Sequence, residues 1–473
     1  MALCSCTYGV SACMFVIESL REKYRDVRRK REQRVFDADI SKALSNNISQ
    51  QTYPSCSLTD LERLRTKWGS FLTILRDTRG TETSFGNKID LLEAGTETIS
   101  AMIEAIDASS ERVWLETYIF DSSDVARQIT DALIRAKQRG CDVVVIMDYI
   151  GSLDYRWTSE LEYAQIPVVL FNPFPWSNFF DPKVPKSVGP IPFRNHRKIL
   201  IADAVGFCGS MNIQGETVPG EGEKFPGFYD LSARVQGPAV THLGNVFRDS
   251  LEESQVGVTR PPIPSLPAKG TSYVQVLQSN VRKQRVAIQK ALARQIREAD
   301  HEVLVASSYF MPPGFLKRAL LNTARSKREC KILVSGTTDF FPVPGDLMAQ
   351  THALSRFVDR PRTQVALYSH SHMHAKFTVV DSLFVQIGSY NFDRFSSRRN
   401  LECAIGVFDV DVATQVGHIH KRLSEDGFPA SRDSMYFHNP LARFVCWMAY
   451  FVMKTSGRNL FDGFDTPGFR PYE

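Results

Sequence analysis

The 473-residue sequence contains no run of about 18 apolar residues, the length that a membrane-spanning helix needs. Its nine cysteines are odd in number, irregularly spaced and free of any CxxC pair, which excludes a zinc ribbon and a thioredoxin-type site and argues against a disulfide framework. The formal net charge is only +5, so no strong charge bias points to a partner. With 43% hydrophobic and 23% charged residues, collagen, coiled coil and long disorder are excluded, and a globular protein of about two domains remains.

The two ends of the chain differ from the middle. Residues 1–84 are predicted to be a basic N-terminal extension with a targeting or membrane-surface role. Within it, residues 21–34 carry eight basic and three acidic side chains. Such a run is typical of a solvated helix face, and attraction to anionic lipid or to RNA are the alternatives. Residues 431–473 are predicted to be a tail with an amphipathic helix around residues 444–453, either buried or lying in a bilayer interface.

A proline-rich linker, residues 254–272, separates two halves with similar patterns. In the first half, residues 85–253, a buried-strand pattern beginning at residue 113 is followed by a helix pattern and another strand pattern. The second half, residues 273–430, repeats this order from residue 303, which is 190 residues later. The repeat indicates an internal duplication and predicts an α/β fold in which each half is an open sheet flanked by helices.

Each half also contains a polar motif with the same spacing. A His-x-Lys triplet is followed after four residues by Asp, and a Gly-Ser-x-Asn sequence comes next. One full match should arise by chance in on the order of one chain in 10⁵, so two matches, one in each repeat, exclude coincidence. The motif residues are His196, Lys198, Asp203, Ser210 and Asn212 in the first half and His374, Lys376, Asp381, Ser389 and Asn391 in the second.

The chemistry of the motif suits a phosphate group. The histidine and lysine are predicted to lie on a strand, where side chains two residues apart share a face. Lysine can neutralise a non-bridging oxygen while histidine reaches the phosphorus, and the serine hydroxyl and asparagine amide can hydrogen-bond phosphate oxygens. Asp203 and Asp381 have the opposite parity, so they are predicted to face away from the phosphate and to fix the following turn.

The doubled motif resembles that of the phospholipase D superfamily, whose HxKxxxxD repeats pair across one active site. The similarity covers roughly residues 85–430, and further segments resemble cardiolipin synthases of bacterial type. These segments are LETYIF, FNP, YDLSARVQGPAV, YFMPPGFL and GSYNFDRFSSRRNLE. The resemblance implies two phospholipase D-like α-β-α halves, with mixed sheets flanked by helices, packed around a pseudo-twofold active site. It also implies catalysis without a metal ion or cofactor.

The resemblance further implies an acid that hydrogen-bonds each motif histidine. Glu402, which follows His374 by 28 residues, is the predicted partner of that histidine. Asp230 is the predicted partner of His196, with an insertion accounting for their longer separation. Such an acid would hold the tautomer of the ring and support its charged form.

The expected reaction is phosphoryl transfer through a covalent phosphohistidine, with His196 as nucleophile and His374 as acid and base, although the pseudosymmetry leaves the reverse assignment open. The resemblance implies a cardiolipin synthase-like phosphatidyltransferase that joins two phosphatidylglycerols and releases glycerol, with phosphatidylethanolamine as another donor. A phospholipase D, a nuclease or other phosphodiesterase, and a non-catalytic membrane scaffold are the alternatives. No nucleic-acid partner is expected, because no aromatic-and-basic stripe for stacking bases is evident.

A lipid substrate needs an apolar approach to the site. Residues 171–192 contain six prolines and several aromatic residues just before the first motif. Such a segment either sits at a lipid interface or plugs the core. The expected location is peripheral, on a bacterial inner membrane or a mitochondrial membrane.

Overall fold

The computed structural model describes residues 80–153, 157–220, 226–325, 328–338, 345–433, 435 and 439–456. The predicted basic extension therefore lies outside the described residues up to residue 79.

One continuous mixed sheet of 16 strands runs through the described chain, with helices on both of its faces. The strands are β1 (Thr81–Leu92), β2 (Arg112–Thr117), β3 (Asp142–Asp148), β4 (Val168–Phe171), β5 (Ile199–Ala202), β6 (Val205–Gly209), β7 (Ser232–Gln236), β8 (Ser272–Asn280), β9 (Arg285–Val286), β10 (Glu302–Ser307), β11 (Glu329–Ser335), β12 (Thr363–Tyr368), β13 (Phe377–Val380), β14 (Phe384–Gly388), β15 (Glu402–Phe408) and β16 (Phe428–Pro429). The helices are α1 (Gly95–Asp107), α2 (Asp124–Gln138), α3 (Thr158–Tyr163), α4 (Ser177–Phe180), α5 (Ala239–Ser254), α6 (Ala287–Glu298), α7 (Gly314–Arg325), α8 (Gly345–Leu354), α9 (Arg394–Arg398), α10 (Val410–Asp426) and α11 (Pro440–Ser456).

The strand order repeats the duplication seen in the sequence. In the first half β2, β3 and β4 are parallel, and β5, β6, β7 and β1 continue the sheet in antiparallel pairs. In the second half β10, β11 and β12 are parallel, and β13, β14, β15 and β8 continue it in the same way. The antiparallel pairing of β1 with β8 joins the halves. The predicted fold class, two similar α/β halves with mixed sheets, is confirmed.

Local sequence accounts for these elements. Strand β3 contains an unbroken apolar run at residues 143–147 and is buried along nearly its whole length, as expected for a parallel strand covered by helices on both faces. Helix α2 begins after Ser123, whose hydroxyl accepts a hydrogen bond from the Ala126 amide. It carries Asp124 in its first turn and Arg135 in its last, which complements the helix dipole.

A shared hydrophobic core holds the two halves together. It contains Trp114 and Phe247 from the first half, Phe377 and Ile405 from the second, and Val276 of β8. Because this core is continuous between the halves, it fixes the strands that carry the two motifs relative to each other.

The motif strands begin later than predicted. Strand β5 starts at Ile199 and β13 at Phe377, so the histidine and lysine of each motif lie in extended chain before the strand. In this preceding segment, the amides of His196 and His374 donate to carbonyls of the other half of the molecule.

Helix α11 lies where the sequence predicted an amphipathic C-terminal helix. Its Ala449, Tyr450 and Met453 pack against a small cluster that includes Ala349 and Ala353 of α8. Within the described ranges, no helix combines the length and the apolar composition required to cross a bilayer.

Candidate active site

The segment before each motif histidine pairs with the opposite half. The His196 amide donates to the Leu401 carbonyl at 2.9 Å, and the His374 amide donates to the Tyr229 carbonyl at 2.8 Å. Short parallel bridges at Asn195 and at Tyr229 complete this exchange. Each motif histidine therefore lies beside the residue that immediately precedes an acidic residue of the other half.

The acids contact the histidines crosswise. Nδ1 of His196 lies 3.0 Å from Oε2 of Glu402, and Nδ1 of His374 lies 2.8 Å from Oδ1 of Asp230. The predicted pairing of His196 with Asp230 and of His374 with Glu402 is wrong, and the partners are exchanged. The physical reason is the exchanged backbone pairing, because Leu401 precedes Glu402 and Tyr229 precedes Asp230.

The motif serines hold these acids. Ser210 donates to Asp230 at 2.5 Å, and Ser389 donates to Glu402. Ser396 donates to the other oxygen of Glu402 at 2.7 Å. The hydroxyls of Ser210 and Ser389 are buried and engaged with carboxylates, which corrects the prediction that they bind phosphate. Each serine anchors an acid of its own half that reaches the histidine of the other.

The glycine before each serine serves close strand packing. A Cβ atom on Gly209 would lie 2.3 Å from Oγ of Ser232, and one on Gly388 would lie 2.4 Å from the carbonyl oxygen of Cys403. Any larger residue would force the serine, and the acid it holds, away from the histidine.

The two lysines curl back beside the histidines. Nζ of Lys198 donates to the His196 carbonyl at 2.8 Å, and Nζ of Lys376 donates to the His374 carbonyl at 2.5 Å. Burial lowers the pKa of Lys198 well below its ordinary value. The ring of Tyr118 lies 5.2 Å from the Lys198 ammonium and 5.1 Å from the His196 ring. Tyr118 was not predicted as a site residue, although it is part of LETYIF.

Both imidazoles are poised as neutral rings. Burial lowers the pKa of His196, and the ammonium groups of Lys198 and Lys376 add to the effect against the opposing charge of Glu402. Burial likewise lowers the pKa of His374 to about 4, with Asp230 opposing it. A neutral ring that donates from Nδ1 to a carboxylate keeps its Nε2 lone pair for a substrate.

The acids themselves are ionised. Burial alone would raise the pKa of Asp230, but His374 and Lys376 outweigh it and lower the pKa to about 2. Burial and His196 oppose each other in the same way at Glu402, where the net effect is a lowered pKa.

The two motif asparagines leave matched polar atoms open. The side-chain oxygens of Asn212 and Asn391 are buried, and neither has a hydrogen-bond partner among the described residues. Buried polar atoms without partners are rare, and a matched pair in one site is where a ligand can be received. In the described part of the chain, no group of three or more His, Cys, Asp and Glu is arranged to hold a metal ion.

The motif aspartates lie away from the histidines. Asp203 adopts a left-handed backbone, and its carboxylate accepts hydrogen bonds from the amides of Ser110, Glu111 and Arg112. Asp381 does the same for the three amides of residues 300–302. The direction predicted by strand alternation holds, but the carboxylates fix the entries to β2 and β10 rather than only their own turns.

A buried charged network supports the first motif. Arg197, which is fully buried, donates to the Glu402 carbonyl at 3.4 Å and to Ser250 at 2.6 Å. Ser250 donates in turn to Glu116 at 2.5 Å, and Glu116 accepts from Asn195 at 2.7 Å. This network was not predicted from the sequence, and its signal is a glutamate within the buried strand β2.

Comparisons with known proteins agree with this architecture. A family model described as "Cardiolipin synthase, PLD-like domain" matches residues 102–224 and 292–423, more than half of the sequence. The chain belongs to this family of phospholipase D-like proteins, as the motif resemblance predicted.

Relatives and a solved structure share most of its length. Cardiolipin synthase B of Escherichia coli (strain K12) is 28% identical in an alignment of 341 residues that covers 68% of this chain and 77% of that protein. Cardiolipin synthase 1 of Bacillus anthracis is 27% identical in an alignment of 358 residues that covers 72% of this chain and 67% of that protein. The crystal structure of phosphatidylserine synthase from Haemophilus influenzae Rd KW20 has a TM-score of 0.61 and 13% identity, covering 78% of this chain and 93% of that one. At this identity the structural likeness shows a common fold.

Proposed function

We propose that the chain is a phosphatidyltransferase of the cardiolipin synthase type. The observation that carries the proposal is the crossed arrangement of His196 with Glu402 and His374 with Asp230, with one lysine beside each histidine. A two-step displacement at a phosphodiester needs one imidazole with a free Nε2 lone pair as nucleophile, a second imidazole that can carry a proton on Nε2, and cations that neutralise the phosphate oxygens.

In the first step, Nε2 of His196 attacks the phosphorus and forms an N–P bond. The P–O bond to the head-group alcohol breaks, its electron pair stays on the oxygen, and a proton from Nε2 of His374 completes the leaving alcohol. The negative phosphodiester favours the protonated form of His374, and Asp230 stabilises that cation. Lys198, Lys376 and the amide NH2 groups of Asn212 and Asn391 donate hydrogen bonds to the equatorial oxygens as charge grows there.

In the second step, His374 takes the proton of an incoming alcohol whose oxygen attacks the phosphorus. The N–P bond breaks and its electron pair returns to His196. The product is a new phosphodiester, and water in place of the alcohol gives hydrolysis instead.

The names of the relatives suggest the substrates. We infer that two phosphatidylglycerols react to give cardiolipin and glycerol, with phosphatidylethanolamine as an alternative donor of the phosphatidyl group. The protein would act at a membrane surface, since both substrates are lipids.

Incubation of the purified protein with phosphatidylglycerol in detergent micelles containing EDTA tests this function. Cardiolipin and glycerol in equal amounts are expected, measured by lipid mass spectrometry and a glycerol assay. Phosphatidic acid as the only product would replace transferase with phospholipase D, and the absence of any lipid product would contradict an enzymatic role.

The roles of the histidines are tested by trapping. His374→Ala is expected to form the first intermediate slowly and to hold it, so peptide mass spectrometry after acid-free digestion should find the phosphatidyl adduct on His196. The assignment would be reversed by an adduct on His374 in the matched His196→Ala variant, together with no adduct on His196 in His374→Ala.

A further inference from the structure

Helix α11 has a contiguous apolar face that is open to solvent. One side of the helix packs on α8 through Ala449, Tyr450 and Met453. The opposite side exposes large apolar residues spaced three or four apart, with Phe444 56%, Phe451 47% and Val452 55% exposed. The exposed apolar residues of α11 are Leu441, Phe444, Val445, Trp447, Met448, Phe451 and Val452. A surface of this kind marks an interaction site.

The charges around this face have one sign. Arg443 and Lys454 are the charged residues of α11, and both are basic. Arg356, after α8, and Lys454 lie close enough to Lys317 of α7 to act on it electrostatically, because burial and then these two cations lower the pKa of Lys317. Among the described residues, neither Lys317 nor Lys454 has a carboxylate partner within ion-pair distance. An apolar face bordered by uncompensated cations complements a surface that is apolar inside and anionic outside.

The carboxyl end of α11 contacts the segment that follows the second motif. Arg394, three residues after the motif residue Asn391, donates to the Lys454 carbonyl at 3.4 Å, which ties the end of α11 to the second motif. In the first half, the segment after β4 exposes Trp176, Phe179 and Phe180, with Phe179 84% exposed. That segment follows Asn172, whose carbonyl accepts a hydrogen bond from Arg194, two residues before His196.

We propose that α11 docks flat onto an anionic phospholipid bilayer, with the aromatic segment of α4 as a second contact, so that the catalytic site opens toward the lipid. The proposal rests on the proposed function, because it says from where the lipid substrate enters. Phe444, Phe451 and Val452 would enter the acyl boundary, while Arg443 and Lys454 would meet lipid phosphates. A 17-residue helix is about 26 Å long, which suits a helix lying in the interface.

Vesicle co-sedimentation tests the docking surface. The full chain is expected to bind vesicles of phosphatidylcholine with phosphatidylglycerol more tightly than vesicles of phosphatidylcholine alone, and to release them as salt rises. The double variant F444S/F451S is expected to bind anionic vesicles at least about tenfold more weakly, because two exposed aromatic side chains no longer enter the acyl boundary. The matched control is Tyr163→Ser, a 93% exposed side chain before the amino end of β4, and its vesicle binding should equal wild type.

Turnover measured with the lipid in vesicles and with the lipid in detergent micelles separates this proposal from the proposed function. F444S/F451S should lose more turnover on vesicles than on detergent micelles, and the ratio of the two is the readout. Unchanged vesicle binding by F444S/F451S would overturn the docking surface, whatever the turnover. If F444S/F451S loses vesicle binding and the wild-type protein converts no lipid in micelles, the docking surface would be supported and the proposed function contradicted.

Size-exclusion chromatography with light scattering covers the alternative occupant. A wild-type dimer that F444S/F451S converts to a monomer, with vesicle binding unchanged, would assign the face to a second copy of this chain and overturn the bilayer proposal. A mass that is the same for both proteins, with lost vesicle binding, supports it.

Discussion

The two halves carry the same reactive groups on different supports. The residues next to His196 in the sequence are Asn195 and Arg197, and the nearby residue of the neighbouring strand β2 is Glu116. The equivalent positions around His374 are Met373, Ala375 and Ala306 of β10, all of them buried and apolar. The first motif thus rests on a buried charged network and the second on hydrophobic core.

The same contrast recurs two residues before each histidine. Arg194 forms a buried ion pair with Asp148 at 3.1 Å. At the matching register in the second half, His372 lies 3.2 Å from Ser335 and 3.0 Å from Ser308. The comparison teaches that the histidine and lysine of each motif are the same in both halves while the surrounding core differs, so the two histidines should respond differently to changes around them.

The largest expected effect comes from the acids. Glu402→Gln should lower kcat by roughly 10²-fold or more, because the Nδ1 proton of His196 loses its ionised acceptor. Glu402 raises the pKa of His196, so removing its charge lowers that pKa further, and the acid limb of the kcat/KM profile should move to lower pH.

The matched variant Asp230→Asn separates the crossed pairing from pairing within each half. In ¹⁵N spectra of labelled histidine, Glu402→Gln should shift the ring signals that His196→Gln removes, and Asp230→Asn should shift those that His374→Gln removes. The opposite pattern of shifts would contradict the crossed contacts.

The second largest expected effect is a loss of stability, and it comes from the charged network of the first half. Arg197→Ala should lower the free energy of unfolding by roughly 3–5 kcal/mol, because Glu116 stays buried without its cation, while Asp249 keeps Lys283 and Arg285. Urea denaturation measures it, and Arg135→Ala, which breaks an exposed pair with Asp107, is the control at about 1 kcal/mol or less.

The double variant Glu116→Ala/Arg197→Ala gives the first half the residues of the second. Its loss of stability should be clearly smaller than the sum of the single losses, because neither charge is then left alone. Strict additivity would mean that the two residues do not act as one network.

A third difference concerns pH. Burial raises the pKa of Asp393 to about 6 from an ordinary 3.8, and Glu402 adds to it, whereas the first half has the neutral Gln214 at the matching place. The native state therefore favours the protonated acid, and its stabilising contribution is lost as pH rises from about 4 to 6. Asp393→Asn should gain stability relative to wild type over that window, by at most roughly 3 kcal/mol, and then stay level. Thermal unfolding at several pH values checks it, and a difference that is flat with pH would contradict it.

The smallest expected effect is one in which the halves should agree. Asp203→Ala and Asp381→Ala each remove an acceptor from three backbone amides at the partly exposed entry to a strand. Each should cost about 1–3 kcal/mol of stability and leave the pH profile of turnover unchanged. A loss of turnover without a loss of stability, in either variant, would place that aspartate in the chemistry.

The sequence was sufficient for the fold class and for the histidines, lysines and acids that meet at the site. Periodicity and the doubled motif are local signals, and they survive in a single chain without its structure. The histidine partners could not be predicted correctly, because the exchange depends on the bridges at Asn195 and Tyr229, which join residues far apart in sequence. The serine hydroxyls were misassigned because the fold turns them onto acids of their own half that lie 20 and 13 residues further along the chain.

Residual turnover in the single variants His196→Ala and His374→Ala tests most directly whether the two motifs act on one phosphorus atom. A shared site predicts that each variant alone falls by at least about 10³-fold, since either loss removes the nucleophile or the acid for every substrate molecule. If each variant kept about half of the wild-type turnover, the halves would be independent sites and the shared site would be contradicted.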